Sequence, residues 1–105
     1  MNEEELKNDY RKKRQLLEEQ EDSIADYKRK GEQAFHEMKQ NLRYQLQDFA
    51  LDGEPFSYAQ RAFDKDEEEF YHALDQERKT VLKKQEETDE TYYRELKRVM
   101  EDKKN

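Results

Sequence analysis

The fold of this chain is decided by a short central segment, Leu51-Asp52-Gly53-Glu54-Pro55-Phe56-Ser57. Gly53 can adopt the left-handed conformation that ends many helices, and Pro55 cannot continue a helix already under way. Ser57 precedes Gln60 by three residues, the spacing of a capping box at a helix start, although Pro55 equally suits the first helical position. The segment therefore predicts a turn between two elements.

The residues before this turn form a single apolar stripe. Its steps are three or four residues long, which is the spacing of an amphipathic helix that packs on one neighbour. The stripe is close to a heptad pattern but is degraded at Lys13, Gln20 and Gly31. We predict a helix over residues 3–51, with a stripe formed by Leu6, Tyr10, Lys13, Leu17, Gln20, Ile24, Tyr27, Gly31, Phe35, Met38, Leu42, Leu46 and Phe49.

A second stripe follows the turn and predicts a helix over residues 58–102, with the turn at residues 52–57. Because the turn is short, the two helices must be antiparallel neighbours. We therefore predict an all-α fold, a coiled-coil-like antiparallel two-helix hairpin that forms a single domain over residues 1–105. Pairing positions whose numbers sum to about 108 brings the two stripes together, and it places Phe70 against Met38, Leu74 against Phe35, Tyr92 against Leu17 and Val99 against Tyr10.

The predicted core is poorly filled. Charged residues make up 47% of the chain and apolar residues 31%, against about 45–50% apolar in ordinary globular domains. Polar residues interrupt the contact between the helices, with Leu42 facing Asp66 and Gly31 facing Glu77 under the pairing above. Burial of only one apolar face per helix does not readily offset the entropy cost of ordering the chain. We therefore expect a partner to complete a helical bundle.

Several classes of function are disfavoured by composition. The absence of cysteine removes disulfides, thiolate catalysis and Cys-based metal sites. Residues 1–52 carry 10 basic and 13 acidic side chains and residues 53–105 carry 11 and 15, so neither half has the basic excess that nucleic acid requires. There is no long apolar run and no signal peptide. We predict no cofactor, no nucleic-acid partner, no membrane insertion and a cytoplasmic location.

The only pattern that suggests an enzyme is a histidine with carboxylates. Glu69 and His72 have the Glu-x-x-His spacing of di-iron bundles, and His36 lies near the same level of the predicted hairpin. A complete site of this kind would need the same motif from a second chain. In a chain with 28 acidic residues such spacing is also expected by chance. We therefore predict that the protein is not an enzyme.

The whole outline resembles a known family plan. A chain of 105 residues with two long helices, a central turn and no cysteine is similar to the WXG100-like (Esx-like) hairpins of type VII secretion. The turn reads Leu51-Asp52-Gly53 in place of Trp-x-Gly. The chain looks more like the LXG-associated α-helical (Lap) proteins of Gram-positive bacteria, in its charged first helix, its aromatic middle and its acidic, tyrosine-rich residues 86–95.

This resemblance implies an accessory or targeting protein, a chaperone or adaptor without enzymatic activity. Its partner would be the helical LXG domain of a toxin, often with a second small helical protein, and it would promote toxin export by the type VIIb system, with co-export as a further possibility. Two tyrosine-acid pairs, Tyr71 with Asp75 and Tyr44 with Asp48, match the spacing of an export signal. The candidate partner-binding residues are Phe35, Leu42, Tyr44, Phe49, Phe56, Tyr58, Phe63, Phe70, Tyr71, Tyr92 and Tyr93.

The periodicity alone supports a second hypothesis. A self-associating coiled coil, such as a homodimeric four-helix bundle that scaffolds other proteins, needs the two stripes and no family resemblance. The two hypotheses share the expectation that the hairpin is completed by another chain.

Overall fold

The computed structural model describes residues 1–47 and 54–104, with residues 54–56 described through their backbone alone. It contains two long helices that pack against each other, α1 at Glu3–Gln45 and α2 at Glu54–Lys104. The described part of the chain is 96% helical and contains no strand. The predicted all-α helical hairpin is therefore confirmed, and the pairing of Glu3 with Lys103 at 2.9 Å shows that the helices are antiparallel.

Helix α1 begins with a capping box that the sequence analysis did not identify. The Asn2 side-chain Oδ1 accepts a hydrogen bond of 2.8 Å from the backbone N–H of Glu5. In return, Asn2 Nδ2 donates to Glu5 Oε1 at 3.3 Å. Because the first turn of a helix leaves its N–H groups without helical partners, this exchange fixes the start of α1 at Glu3.

The predicted helix bounds are wrong at the ends near the turn. Helix α1 ends at Gln45 instead of residue 51, and Leu46 and Gln47 form a turn in which the Gln47 N–H bonds to Tyr44 O at 3.4 Å. Residues 48–53 lie outside the described residues. Helix α2 begins at Glu54, four residues before the predicted start, because Pro55 is compatible with the first turn of a helix.

The C-terminal end of α2 extends to Lys104, two residues beyond the predicted end. Lys103 and Lys104 lie in its last turn, where positive charge is favourable beside the unpaired carbonyl groups. The contacts divide the chain into two compact units, and the prediction of a single domain stays a prediction.

Unit 1 combines Met1–Ser23 of α1 with Glu77–Asn105 of α2. The three buried apolar side chains of the described chain, Leu6, Leu17 and Val81, all belong to this unit. A polar contact joins its two helices as well, because Gln85 Nε2 donates to Glu21 Oε2 at 3.1 Å.

Unit 2 is Ile24–Gln76. Among its described side chains none is buried, and the apolar ones that face the other helix are half-buried. The rings of Phe35 and Phe70 meet here with centroids 5.6 Å apart. Unit 2 is thus held together by a thinner apolar contact than unit 1.

The predicted pairing of the stripes is wrong by one to two helical turns. Tyr92 stacks on Tyr10 instead of meeting Leu17, and Phe70 packs against Phe35 instead of Met38, which is 44% exposed. The earlier end of α1 and the earlier start of α2 account for this difference. They move the midpoint of the connection toward the N-terminus, so each α2 residue meets an earlier residue of α1.

The polar residues of the predicted stripes do not lie between the helices, and other charged residues take their place. Lys13, Gln20, Asp66 and Glu77 were expected between the helices and are exposed, whereas Arg14, Glu21 and Glu67 are half-buried. Long charged side chains can cover apolar surface with their stems while the charged end stays in water, which suits them to these positions.

Candidate functional site: protein-binding surfaces

Three tyrosines form an aromatic cluster in unit 1. The rings of Tyr10 and Tyr92 are stacked, with centroids 4.1 Å apart and an angle of 15° between their planes. Tyr93 packs edge-on against Tyr92 at 5.2 Å and is 61% exposed. Aromatic pairs of this kind contribute about 0.5–1.5 kcal/mol beyond the area that they bury. The cluster joins α1 to α2 and also presents aromatic surface to solvent.

A polar contact fixes the orientation of this cluster. The Tyr10 hydroxyl donates a hydrogen bond of 2.7 Å to Asp89 Oδ1, and Arg14 Nε lies 3.5 Å from the same oxygen. The hydrogen bond to Asp89 raises the pKa of the Tyr10 phenol, and burial adds to this effect. The neutral phenol is the form that can donate to the carboxylate, so the tyrosine is held as a donor at neutral pH.

A groove of about 400 Å³ opens beside the cluster, also within unit 1. It is an open trough with mixed apolar and charged lining, and Leu16 on its α1 side is 60% exposed. Asp9 and Lys13 on the same side form an ion pair of 3.0 Å. The side chains that line the groove come from both helices: Leu6, Asp9, Tyr10, Lys13, Leu16, Leu17, Gln20, Lys84, Glu87, Thr88, Thr91 and Tyr92.

Unit 2 has its own aromatic contact and an ionic one. Tyr71 packs edge-on against Phe70 with centroids 5.5 Å apart, and burial raises the pKa of its phenol, with Glu32 adding to the shift. Lys39 Nζ joins the two helices because it lies 3.1 Å from Asp64 Oδ1 and 3.3 Å from Glu67 Oε2. The hydrogen bond to Asp64, followed by that to Glu67, raises the pKa of the Lys39 ammonium.

Among the described aromatic side chains of unit 2, the most exposed lie toward the ends of the helices that are joined by residues 48–53. Tyr44 on α1 and Tyr58 on α2 are each 78% exposed. Tyrosine is enriched in protein interfaces because it offers a large rigid ring together with a hydroxyl group that can form a hydrogen bond. These two residues are therefore the clearest candidates for contact with another protein.

The predicted partner-binding residues fall into three groups. Tyr44, Tyr58 and Tyr93 are exposed. Phe49 and the side chain of Phe56 lie outside the part of the chain that the structure describes. The remaining six are half-buried, in most cases where the two helices of the hairpin meet: Phe35, Leu42, Phe63, Phe70, Tyr71 and Tyr92.

The structure describes only part of the two predicted tyrosine-acid export pairs. Tyr71 and Asp75 lie one turn apart in α2, and Asp48, the partner of Tyr44 in the other pair, lies outside the described residues. Both pairs stay predictions.

Within residues 1–47 and 54–104, no group of three or more His, Cys, Asp or Glu side chains is arranged to hold a metal ion. His36 and His72 are both exposed. Neither described helix contains a stretch apolar enough to span a membrane.

The sequence analysis missed the contact between Tyr10 and Asp89 and the exposure of Leu16. Tyr10 and Leu17 were recognised as stripe residues, but the partner of Tyr10 depended on the register. Leu16 falls outside the predicted stripe, so its exposure was not predicted. Its position three residues after Lys13 and seven after Asp9 indicates that these three side chains lie along one side of α1.

No family model matches this chain, and no match was found among curated proteins or solved structures.

Proposed function

We propose that this chain is a non-enzymatic helical adaptor that packs against the helices of another protein. The observation that carries the proposal is the imbalance between buried and exposed apolar side chains. In the described chain only Leu6, Leu17 and Val81 are buried, whereas eight large apolar side chains are 44–78% exposed. A partner that covers these side chains would supply burial worth about 25 cal/mol per Å² of apolar surface.

The proposed contact surface in unit 2 is centred on Tyr44 and Tyr58. Unit 2 has no buried side chain among its described residues, so it gains most from added packing. The two tyrosines are more exposed than Tyr27, the other exposed tyrosine of this unit, at 78% against 62%. An amphipathic helix of the partner would insert apolar side chains beside their rings, in the helix-in-groove mode of recognition.

The proposed partner is the helical LXG domain of a toxin, with the complex serving as a targeting unit for export by the type VIIb secretion system. This identity is supported by the hairpin plan and by the acidic, tyrosine-rich residues 86–95, which lie within α2. The adaptor would assemble with its toxin in the cytoplasm before export. A second small helical protein would fill the remaining side of the bundle.

Co-expression with an LXG domain encoded beside this chain tests the proposal. We expect the two proteins to elute as one complex in size-exclusion chromatography at micromolar concentration. Separate elution of the wild-type proteins would overturn the proposed partner.

Substitutions locate the contact. Tyr44→Ser combined with Tyr58→Ser should weaken binding about tenfold or more, because the loss of even one aromatic anchor worth about 1.4 kcal/mol lowers affinity tenfold. Tyr27→Ser is the matched control, since it removes an exposed tyrosine from the same unit, and it should leave affinity unchanged. Equal losses for the double variant and the control would contradict the proposed surface.

A further inference from the structure

All five phenylalanines of the chain fall within residues 24–76, which form the unit in which no described side chain is buried. Four large apolar side chains of this unit are spaced by multiples of seven residues, so those on the same helix lie on one face of it. All four are half-buried, whereas the buried apolar side chains of unit 1 are 5–9% exposed. We call these four residues the phenylalanine row: Phe35, Leu42, Phe63 and Phe70.

The contacts between the helices of unit 2 are individually weak. The ring of Phe70 occupies the space that a side chain at Gly31 would need, so the contact places a poor helix-forming residue inside α1. Lys39 joins the helices by ion pairs with Asp64 and Glu67, but these side chains are 30–56% exposed. Ion pairs at such exposed positions contribute little to stability.

The contacts of unit 1 are stronger. Leu17 and Val81 are buried, at 9% and 5% exposure. Tyr10 stacks on Tyr92 with ring centroids 4.1 Å apart, and its hydroxyl donates a hydrogen bond of 2.7 Å to Asp89. Because stabilisation grows with the apolar area removed from water, the helices are held together more firmly here than in unit 2.

We propose that unit 2 opens by local unfolding while unit 1 stays folded, and that this opening exposes the phenylalanine row to a partner. Proteins open in cooperative segments, and the segment with the fewest buried apolar contacts opens most readily. In the closed hairpin the row is half-buried between the helices. The opening belongs to the isolated chain, whereas its use by the toxin domain rests on the proposed function.

Hydrogen exchange of the wild-type chain without a partner tests the opening. We expect amides in residues 28–42 and 60–73 to exchange about tenfold or more faster than those in residues 10–20 and 82–92, after correction for intrinsic rates. These segments lie inside the helices, away from the helix ends. Exchange in unit 2 should also rise less steeply with urea, because local opening exposes less surface than complete unfolding.

Core substitutions separate local opening from unfolding of the whole hairpin. Val81→Ala weakens unit 1, which is folded both before and after the local opening. It should therefore speed exchange in unit 1 about tenfold or more and leave exchange in unit 2 within about twofold of wild type. Phe70→Ala should speed exchange in unit 2 about tenfold or more. Tyr27→Ala is the matched control, because it truncates an exposed aromatic side chain of unit 2 and should leave exchange there within about twofold.

Lys39→Met tests whether the open state is the one that binds. This variant loses the ion pairs with Asp64 and Glu67 but keeps every residue of the phenylalanine row. Binding to a minor state scales with the population of that state, so the toxin domain should associate with Lys39→Met about twofold or more faster than with wild type. Lys28→Met changes an exposed lysine of the same unit and should leave the association rate unchanged.

Equal exchange in the two units of the wild-type chain would overturn the local opening. So would a Val81→Ala variant that speeds exchange in both units alike, because the hairpin would then unfold as one cooperative unit. Association of Lys39→Met that is no faster than that of Lys28→Met would overturn the use of the open state in binding. Failure of the toxin domain to co-elute removes the proposed partner but does not alter the exchange of the isolated chain.

Discussion

Gly31 lies beneath the ring of Phe70 where α1 and α2 meet in unit 2. The three heavy atoms nearest to the position of a Cβ at this residue all belong to the ring of Phe70. Glycine inside a helix costs about 1 kcal/mol relative to alanine, so its presence here needs a compensating contact. That contact is the Phe70 ring lying directly on the α1 backbone and against Phe35.

Gly31→Ala should destabilise the protein by about 1 kcal/mol despite the better helix propensity of alanine. The new methyl group displaces the Phe70 ring, and overpacking of this kind costs about 1–3 kcal/mol. In a Phe70→Ala background the same substitution should instead stabilise by about 1 kcal/mol, because only the propensity gain remains. Urea unfolding of the four proteins measures both effects.

Ala34→Gly is the control, since it tests helix propensity at an exposed α1 position and should cost about 1 kcal/mol in both backgrounds. If Gly31→Ala changes the free energy of unfolding in the same direction with and without the Phe70 ring, then the ring does not fill the space beside Gly31.

The Tyr10 phenol should titrate above the ordinary tyrosine value of about 10, because its proton is held by Asp89. A pKa raised in the folded state means that the contribution to stability is complete below the unfolded value and is lost as pH rises through the folded one. Asp89→Asn removes the charge and should lower the pKa of the Tyr10 phenol. NMR titration with labelled tyrosine compares the Tyr10 phenol in the wild-type and Asp89→Asn proteins.

Unfolding measured across the same alkaline range provides the matching stability result. The wild-type protein should lose stability above pH ~10, and this loss should be smaller in Asp89→Asn. An unchanged pKa of the Tyr10 phenol in Asp89→Asn would contradict the hydrogen bond.

At the scale of the elements, the sequence predicted correctly that the chain forms two helices with a break between them. The apolar stripes indicated the helices, and Gly53 and Pro55 indicated the break. Sequence reasoning failed at the helix ends and at the register, because stripes with steps of three and four residues match in several registers. The helix ends decide among these registers, and Pro55 was compatible with either side of the break.

The same limit applies to the candidate surfaces. Tyr44, Tyr58 and Tyr93 were predicted from residue type, and the structure finds them exposed. The contact of Tyr10 with Asp89 requires the register and so was not predictable from spacing within one helix.

The Asn2 capping box should contribute about 1 kcal/mol to stability. Asn2→Ala removes the acceptor of the 2.8 Å bond from the Glu5 N–H, and loss of a helix cap typically costs about 0.5–2 kcal/mol. Asn8→Ala is the control, because it replaces an exposed asparagine inside α1 and should be neutral or stabilising by a few tenths of a kcal/mol. Thermal unfolding at fixed concentration measures both. Equal behaviour of the two variants would show that Asn2 does not cap the helix.

Lys39 should make a small and salt-dependent contribution to the packing of unit 2. Lys39→Met should lower the urea midpoint at low ionic strength, because the contacts with Asp64 and Glu67 are lost. The difference should vanish near 1 M salt, where the Debye length is about 3 Å. Lys28→Met, at an exposed position of the same unit, should show no such change. A salt-independent effect of Lys39→Met would point to packing of its alkyl stem instead.

At the scale of the whole molecule, we predict that the stability of the chain depends on association with another protein chain. Among the described residues, buried apolar side chains occur in unit 1 alone, and unit 2 relies on half-buried aromatics and the Lys39 contacts. Small domains with limited cores rarely exceed about 3–5 kcal/mol, and this chain has only three buried apolar side chains among its described residues. Association with a toxin domain or with a second copy would raise apparent stability by mass action.

The most direct test of this central claim is the free energy of unfolding of the isolated monomer, measured by urea denaturation of the dilute wild-type chain. We predict a value below about 3 kcal/mol, well under the roughly 5–15 kcal/mol of ordinary domains. A cooperative transition above about 5 kcal/mol in a verified monomer would contradict it, because the hairpin would then be complete without a partner.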